Sequence, residues 1–350
     1  MKTKLLFFAA LLISLFFTSC TEPAKQEAAP EQKKSDISDF LGQWTIDVDG
    51  GGVSWLEVRQ ETGYLDADLL WIGGSVLPVA NVYMDNSNHL IVDRIDNVVR
   101  TKDASNAPIR TQQATNWLEV SKNGDKIGGY LLKPKRNGIG VDSTAFTGTK
   151  LMAPPAAPDL AAAKWGQPIQ LFNGKDLTGW KLINEKQKNG FYAKEGILGT
   201  NPAQVEGQEH ISYGNLRTEQ EFEDFNLKLE VNVPEGSNSG VYLRGMYEIQ
   251  VFDSYKKPLD SHNMGALYSR LTPSVSAEKP AGSWQSLDIT LCDRHVTVLL
   301  NGTKIIDNQP VYGPTGGAMK SDVNTPGPIY LQGDHGKVEY RNLVLTPIVK

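Results

Sequence analysis

From Phe225 to Val233 the chain alternates: Phe225, Leu227, Leu229, Val231 and Val233 are apolar, while Lys228 and Glu230 lie between them. A period of two marks a strand with one buried and one wet face. Leu287–Leu291 and Val296–Leu300 follow the same pattern. Asn301-Gly302 then supplies two residues that tolerate positive φ, which predicts a hairpin onto Lys304–Ile306. Ile329–Gln332 and Val338–Leu345 close the set. Long alternating strands over residues 168–350 favour a two-sheet jelly roll, an architecture also used by lectins.

The preceding half carries shorter apolar runs. Trp44–Val48, Ser54–Arg59, Ala67–Trp71, Val79–Met84, His89–Ile95, Asn116–Ser121 and Lys126–Lys133 are broken by Gly, Asn and Asp. They predict a small β-barrel or sandwich over residues 37–151, with Gly42-Gln43-Trp44 similar to the Gly-x-Trp opening of lipocalin-like barrels. No catalytic cluster stands out there, and His89 reads as structural. Met152–Pro158 holds three prolines and three alanines, so residues 152–167 read as a semi-rigid spacer, with a helical turn open at Asp159–Lys164. The chain is therefore expected to be all-β in two domains.

One segment alternates differently. In Asn238–Asp253, Val241, Leu243, Ile249 and Val251 share an apolar face, and the opposite face presents Asn238, Tyr242, Arg244, Glu248 and Gln250. A strand that only closes a core needs no such second face; a strand flooring a sugar groove does. Gln250 is especially hard to explain as filler, since strands do not favour it.

The N-terminus changes the picture of where this happens. Lys2 and Lys4 precede an apolar run, Leu5–Phe17, too short for a mature bilayer span. Phe17-Thr18-Ser19-Cys20 resembles a bacterial lipobox, with residues 1–20 as signal peptide and Cys20 as the lipidated first residue of the mature chain. Residues 21–36, mostly Glu, Lys, Pro, Ala and Gln, read as a tether. A membrane-anchored lipoprotein of the bacterial envelope, periplasmic or outer-membrane, is expected. With Cys20 so used, Cys292 is left alone and reads as a small buried hydrophobe. The formal charge of −5 becomes −7 once Lys2 and Lys4 are removed (−5 − 2 = −7). No basic cluster, P-loop, CxxC or HExxH occurs, so nucleic acid is not an expected partner.

Five blocks occur in order: Leu171-Phe-Asn-Gly-Lys-Asp-Leu-Thr-Gly-Trp180, Asn238-Ser-Gly-Val-Tyr-Leu-Arg244, Tyr247-Glu-Ile-Gln250, Leu331-Gln-Gly-Asp-His-Gly336 and Arg341-Asn342. Together they resemble the 3-keto-disaccharide (3-keto-glycoside) hydrolase domain family, over the C-terminal half only. The resemblance implies a concanavalin-like jelly roll acting on a glycoside or oligosaccharide already oxidised at C3. In such a sugar the C2 proton lies α to a carbonyl. Its removal gives an enolate, the C1 substituent leaves, and water adds to the enone. That chemistry needs a base near C2, stabilisation at O3 and a proton donor at the glycosidic oxygen.

Glu248 and His335 could serve as base and acid, and Arg244 or a bound cation could stabilise the enolate. Asn238, Gln250, Gln332, Tyr242, Asp253 and Asp334 are candidates to hold the sugar. The plain alternatives are an Arg244–Glu248 ion pair, a turn histidine at 335, and turn-capping at Asp253 and Asp334. No cofactor is certain; a divalent cation held by Glu248, Gln250, Asp253, Asp334 and His335 stays open, without diagnostic spacing. Jelly-roll glucanases carry Glu-x-Asp-x-x-Glu, whereas positions 248, 250 and 253 read Glu, Gln, Asp. That departure counts against retaining hydrolysis, which needs carboxyls about 5–5.5 Å apart. A non-catalytic carbohydrate-binding lipoprotein of a glycan-uptake system and a conventional glycosidase are the competing readings.

Overall fold

The computed structural model describes residues 36–349, which fall within one compact unit. The lipobox, Cys20 and all of the expected tether but Asp36 lie outside the described residues. Among the described residues there is no α-helix; a single 3₁₀ turn, Ile37–Asp39, precedes an all-β chain.

The N-terminal half runs β1 (Gly42–Val48), β2 (Val53–Gln60), β3 (Leu65–Leu70), β4 (Leu77–Pro78), β5 (Asn81–Met84), β6 (Leu90–Lys102), β7 (Pro108–Asn123), β8 (Lys126–Pro134) and β9 (Val141–Leu151). These form one antiparallel sheet in the order β4-β3-β2-β1-β9-β8-β7-β6-β5. The sheet curls until β5 lies beside β3, making a small barrel. Ile46, Leu56, Leu90, Leu118 and Ile127 fill it. Trp44 is fully buried, its indole N–H donates to Phe40 O at 2.8 Å, and the ammonium groups of Lys122 and Lys150 lie over its ring. The Gly-x-Trp signal thus marks a barrel end closed by an aromatic ring whose polar atom is satisfied.

The C-terminal half runs β10 (Lys164–Trp165), β11 (Ile169–Gln170), β12 (Trp180–Leu182), β13 (Phe191–Lys194), β14 (Ile197–Thr200), β15 (Leu216–Thr218), β16 (Phe225–Asn232), β17 (Asn238–Leu243), β18 (Tyr247–Phe252), β19 (Trp284–Cys292), β20 (His295–Leu300), β21 (Thr303–Pro310), β22 (Tyr330–Leu331) and β23 (Val338–Val349). One sheet has the order β13-β14-β23-β16-β19-β20-β21, with β10 and β11 also paired to β23. The other has the order β12-β15-β22-β17-β18. Leu227, Leu229 and Val231 from the first sheet share one core with Val241, Leu243, Ile249 and Val251 from the second. Burying each such side chain is worth about 1.5–3 kcal/mol relative to exposure, so the alternation read from the sequence is the force that stacks the two sheets into a jelly-roll sandwich. The Asn301-Gly302 hairpin forms as expected, with φ of 52° and 81° and Leu300 paired to Thr303.

The spacer is shorter than its composition suggests. Lys164 and Trp165 already pair with Val349 and Ile348. Upstream, Met152 O accepts from Arg294 Nη1 at 2.7 Å and Pro158 O accepts from Asn308 Nδ2 at 3.0 Å. The sandwich core also takes in Val53, Trp55, Leu70 and Leu151 of the N-terminal half, so the barrel and the sandwich meet along an apolar seam.

Candidate active site

The five-stranded sheet turns one face to the core and the other to a cavity of about 190 Å³. The register explains which side chains reach it. Tyr242 stands opposite Glu248 on one side and Tyr330 on the other, and Gly240 stands opposite Gln250. Asn238 begins the same strand, and Gln332 N donates to Gly240 O at 3.0 Å, which brings Gln332 beside it. Asn238, Tyr242, Glu248, Gln250, Tyr330, Gln332, Asp334 and His335 all line this cavity. Tyr242, Glu248 and Gln250 are 1%, 4% and 3% exposed, so the polar face is a desolvated floor rather than a wetted surface.

Glu248 is the centre of it. Burial pushes its carboxyl well up, to about 8, against the opposing effects of the Tyr242 hydrogen bond and the His335 charge. The hydrogen bonds give the same answer independently. Tyr242 Oη lies 2.8 Å from Glu248 Oε2 and 2.7 Å from Gly316 O. A phenol has one proton, and a carbonyl can only accept. The Tyr242 proton therefore goes to Gly316, and the short contact to Glu248 requires the carboxyl to be the donor. Burial and this pairing both favour the protonated carboxyl at pH 7. The Tyr242 ring also stacks on Tyr330, centroids 3.8 Å apart, and Tyr330 Oη donates to Gly317 O at 2.7 Å.

The space that Glu248 occupies exists because position 240 is glycine: a Cβ there would run into Glu248 Oε1. Gly240→Ala is expected to cost about 1–3 kcal/mol by overpacking, seen as a lower urea midpoint with an unchanged slope. An unchanged midpoint would mean that the carboxyl is free to move aside.

Asp334 and His335 form the second half of the site. His335 Nδ1 lies 2.7 Å from Asp334 Oδ1, and among the described residues no hydrogen bond is made to Nε2. The Asp334 hydrogen bond raises the imidazole above its ordinary value, against burial. Burial pushes Asp334 up, but the His335 hydrogen bond and charge outweigh it and hold the carboxyl low. Ser237 Oγ donates to Lys337 O at 2.7 Å and ties this loop to the start of β17. The arrangement is that of a carboxylate orienting an imidazole, with the far nitrogen left to move a proton.

Gln250 is oriented by its own backbone. Its Oε1 accepts from Val251 N at 3.0 Å, and among the described residues the amide NH₂, at the cavity, has no hydrogen-bond partner. Asn238 Oδ1 is buried without a hydrogen-bond partner among the described residues, an acceptor free for a donor in the cavity.

Two expected members are elsewhere. Arg244 lies beyond the end of β17, at φ 53°, and its Nη2 donates to Val323 O and Thr325 O at 2.7 and 2.6 Å. It lines a separate cavity with Arg294 and Asp224 and does not line the one that holds Glu248. Asp253 accepts from Gly236 N at 3.0 Å and caps a turn, as its plain reading held. Of the proposed cation ligands, Glu248, Gln250, Asp334 and His335 line the cavity and Asp253 does not; the tight cluster of His, Cys, Asp and Glu ligand atoms among the described residues is Asp224, Cys292 and Asp293. A larger cavity, about 500 Å³, lies along the seam, but its Glu57 and Asp68 carboxylates are engaged by Arg59. Residues that sequence reasoning missed are Tyr330, Asn215, Tyr268 and the glycines 73, 316 and 317. Tyr330 carries a signal, being two positions from Gln332 in the apolar run Ile329–Gln332; the others sit in irregular segments.

Residues 167–346, just over half of the chain, match the family model described as 3-keto-alpha-glucoside-1,2-lyase-like domain. No curated protein matches the chain. Among solved structures, a protein from Parabacteroides distasonis ATCC 8503 assigned as a glycosyl hydrolase is 29% identical over 51% of this chain and 82% of its own, with a TM-score of 0.41. A second from the same organism, also assigned as a glycosyl hydrolase, is 22% identical over 51% and 92%, with a TM-score of 0.43. SCLam, a non-specific endo-beta-1,3(4)-glucanase from family GH16, is 11% identical over 56% and 92%, with a TM-score of 0.33.

Proposed function

The chain belongs to the 3-keto-alpha-glucoside-1,2-lyase-like domain family, and from that premise we propose that its jelly roll cleaves 3-keto-glycosides by proton abstraction at C2 and elimination at C1. At the coarser level, the family makes it a carbohydrate-active, hydrolase-like protein. The observation that carries the finer reading is the pairing, in one cavity, of a buried neutral Glu248 with an Asp334-oriented His335.

Each group has one task. His335 Nε2 takes the C2 proton, and the electrons move onto O3 as the enolate forms. The Gln250 NH₂ meets that charge; a carboxylate at 250 would repel it, which gives a reason for the amide where glucanases carry an acid. Glu248 gives its proton to the glycosidic oxygen as the C1–O bond breaks. The Tyr242 hydroxyl then turns from Gly316 O to the new carboxylate. Water adds across C1=C2 of the enone, oxygen to C1 and hydrogen to C2, and the sum is hydrolysis. This assignment gives His335 the base and Glu248 the acid, the reverse of the order expected from the sequence.

The pH profile follows with a definite sign. His335 must be neutral, and its value is raised above the ordinary imidazole, so the rate climbs through the range above pH 6.5. Glu248 must keep its proton, so the rate falls as pH rises past about 8. A bell for kcat/KM is expected on methyl 3-keto-glucoside, with no turnover of methyl glucoside itself. His335→Asn should remove the acidic limb and Glu248→Gln the alkaline one. Equal turnover of both sugars would favour a conventional glycosidase, and binding without turnover of either would favour a lectin. The lipobox-like N-terminus supports a site of action at the bacterial envelope, with Cys20 as the anchor.

A further inference from the structure

The cavity is walled at both ends, and one of the walls comes from the N-terminal barrel. Along β17, Asn238 and Tyr242 are four residues apart, about 13 Å at the rise of an extended strand. The Asp334–His335 loop stands at the Asn238 end. At the Tyr242 end stand Gly316 and Gly317, and against them lies the β3–β4 connection, Trp71 to Val76. Gly317 N donates to Ile72 O at 3.3 Å, and a Cβ at Gly316 would run into Gly74 O. Gly73 lines the same cavity as Glu248 and His335.

The connection is held in place by the sandwich. Ser75 Oγ lies 3.0 Å from His262 Nε2 and 3.4 Å from Tyr268 Oη, and Val76 N donates to Ser269 Oγ at 2.9 Å. His262 is fixed in turn by Asp260, 2.5 Å from Nδ1. Tyr268 N donates to Glu248 O at 3.0 Å, so this clamp abuts the strand that carries the acid, and Tyr268 closes that side of the cavity. Ile72 is held at φ 56°, a left-handed conformation that is costly for a β-branched residue, while remaining 38% exposed. Strain of this kind persists where surrounding contacts over-determine it, and it gathers at ligand clamps. Its effect is to turn the chain so that Gly73 faces the sugar floor.

We propose that the Trp71–Val76 connection makes the barrel a specificity element of the active site, closing one end so that the site accepts only a terminal oxidised ring. This rests on the reading of the cavity as a 3-keto-glycoside site. A space of about 190 Å³ is below the ~300–1,000 Å³ of sites for drug-sized ligands, and it fits a single sugar ring. With both ends walled, the direction along β17 past Gly73 is closed to a further sugar, and the leaving group at C1 must depart another way. A ring that carries a second substituent towards the Gly73 end meets this wall.

Gly73 offers a clean test, because a Cβ there meets nothing within 4 Å and its φ is not left-handed. Three sugars serve as probes: methyl 3-keto-glucoside, and the same compound carrying a further glucose on O4 or on O6 of the oxidised ring. Cleavage is followed for the wild type, and equilibrium binding by calorimetry for Glu248→Gln, with and without the loop changes. The wild type is expected to prefer the unextended sugar by more than the ~10–200-fold that a pocket gains from one small group. Gly73→Trp should weaken binding and cleavage of the unextended sugar by about 10–200-fold at an unchanged melting temperature. Ser75→Ala, which unhooks the connection from His262 and Tyr268, should narrow the preference. If none of the three sugars is cleaved but the binding preference stands, the reaction is wrong and the wall is right. Equal use of the extended sugars by the wild type, unchanged binding in Gly73→Trp, or no binding of any of the three would overturn the wall.

Discussion

Glu248→Gln is expected to slow cleavage of methyl 3-keto-glucoside by about 10²–10⁴-fold, the usual loss with a general acid. The amide keeps the size of the side chain and its neutral charge at pH 7, so the fold should survive with little change in stability. What it loses is the transferable proton. The size of the effect should therefore depend on the leaving group. A p-nitrophenyl 3-keto-glucoside, whose phenolate needs no protonation, should lose far less than the methyl compound. Exchange of the C2 proton with solvent should continue in the variant, because His335 is untouched. If exchange disappears in step with cleavage for both leaving groups, Glu248 is the base, and the roles of the two residues are as the sequence first suggested.

His335→Asn should have the complementary signature. Loss of the base removes both C2 exchange and cleavage, each by about 10²–10⁴-fold, and no leaving group should rescue it. Asp334→Asn should fall in the same direction, because the carboxylate orients the ring and holds its Nδ1 proton. The imidazole is half-exposed, so its removal should leave the melting temperature nearly unchanged. A variant that keeps C2 exchange would place the base elsewhere in the cavity.

The floor of this site is legible in the sequence because a strand obeys a period of two. Asn238, Tyr242, Glu248 and Gln250 were separable from Val241, Leu243, Ile249 and Val251 without any structure, and both faces hold. Arg244 fails for a local reason. The alternation points to Arg244 one step past Leu243, but Arg244 and Gly245 both have positive φ and turn the chain back into β18. Gly245 was the punctuation that marked the turn. Asp253 fails similarly, one residue past the end of β18.

Other features have no local signature. The case for a protonated Glu248 depends in part on Gly316, which reaches Tyr242 from a loop 74 residues away. The Gly73 wall depends on a barrel docking on a sandwich, with the Ser75–His262 contact spanning 187 residues. Such contacts arise from the packing of Val53, Trp55 and Leu70 into the sandwich core; burial on both faces leaves at most a run of apolar positions in the sequence, which does not say what covers the outer face.

The central claim is that the bond at C1 breaks by way of a carbanion at C2. The most direct measurement is turnover of methyl 3-keto-glucoside in deuterated water, with the product examined by NMR at C2 and C4, both of which lie α to the ketone. The account predicts one deuterium at C2 for each bond cleaved and none at C4 above the uncatalysed background, together with no cleavage of methyl glucoside. Product that retains its C2 hydrogen, released from the oxidised and unoxidised glucosides at equal rates, would contradict it.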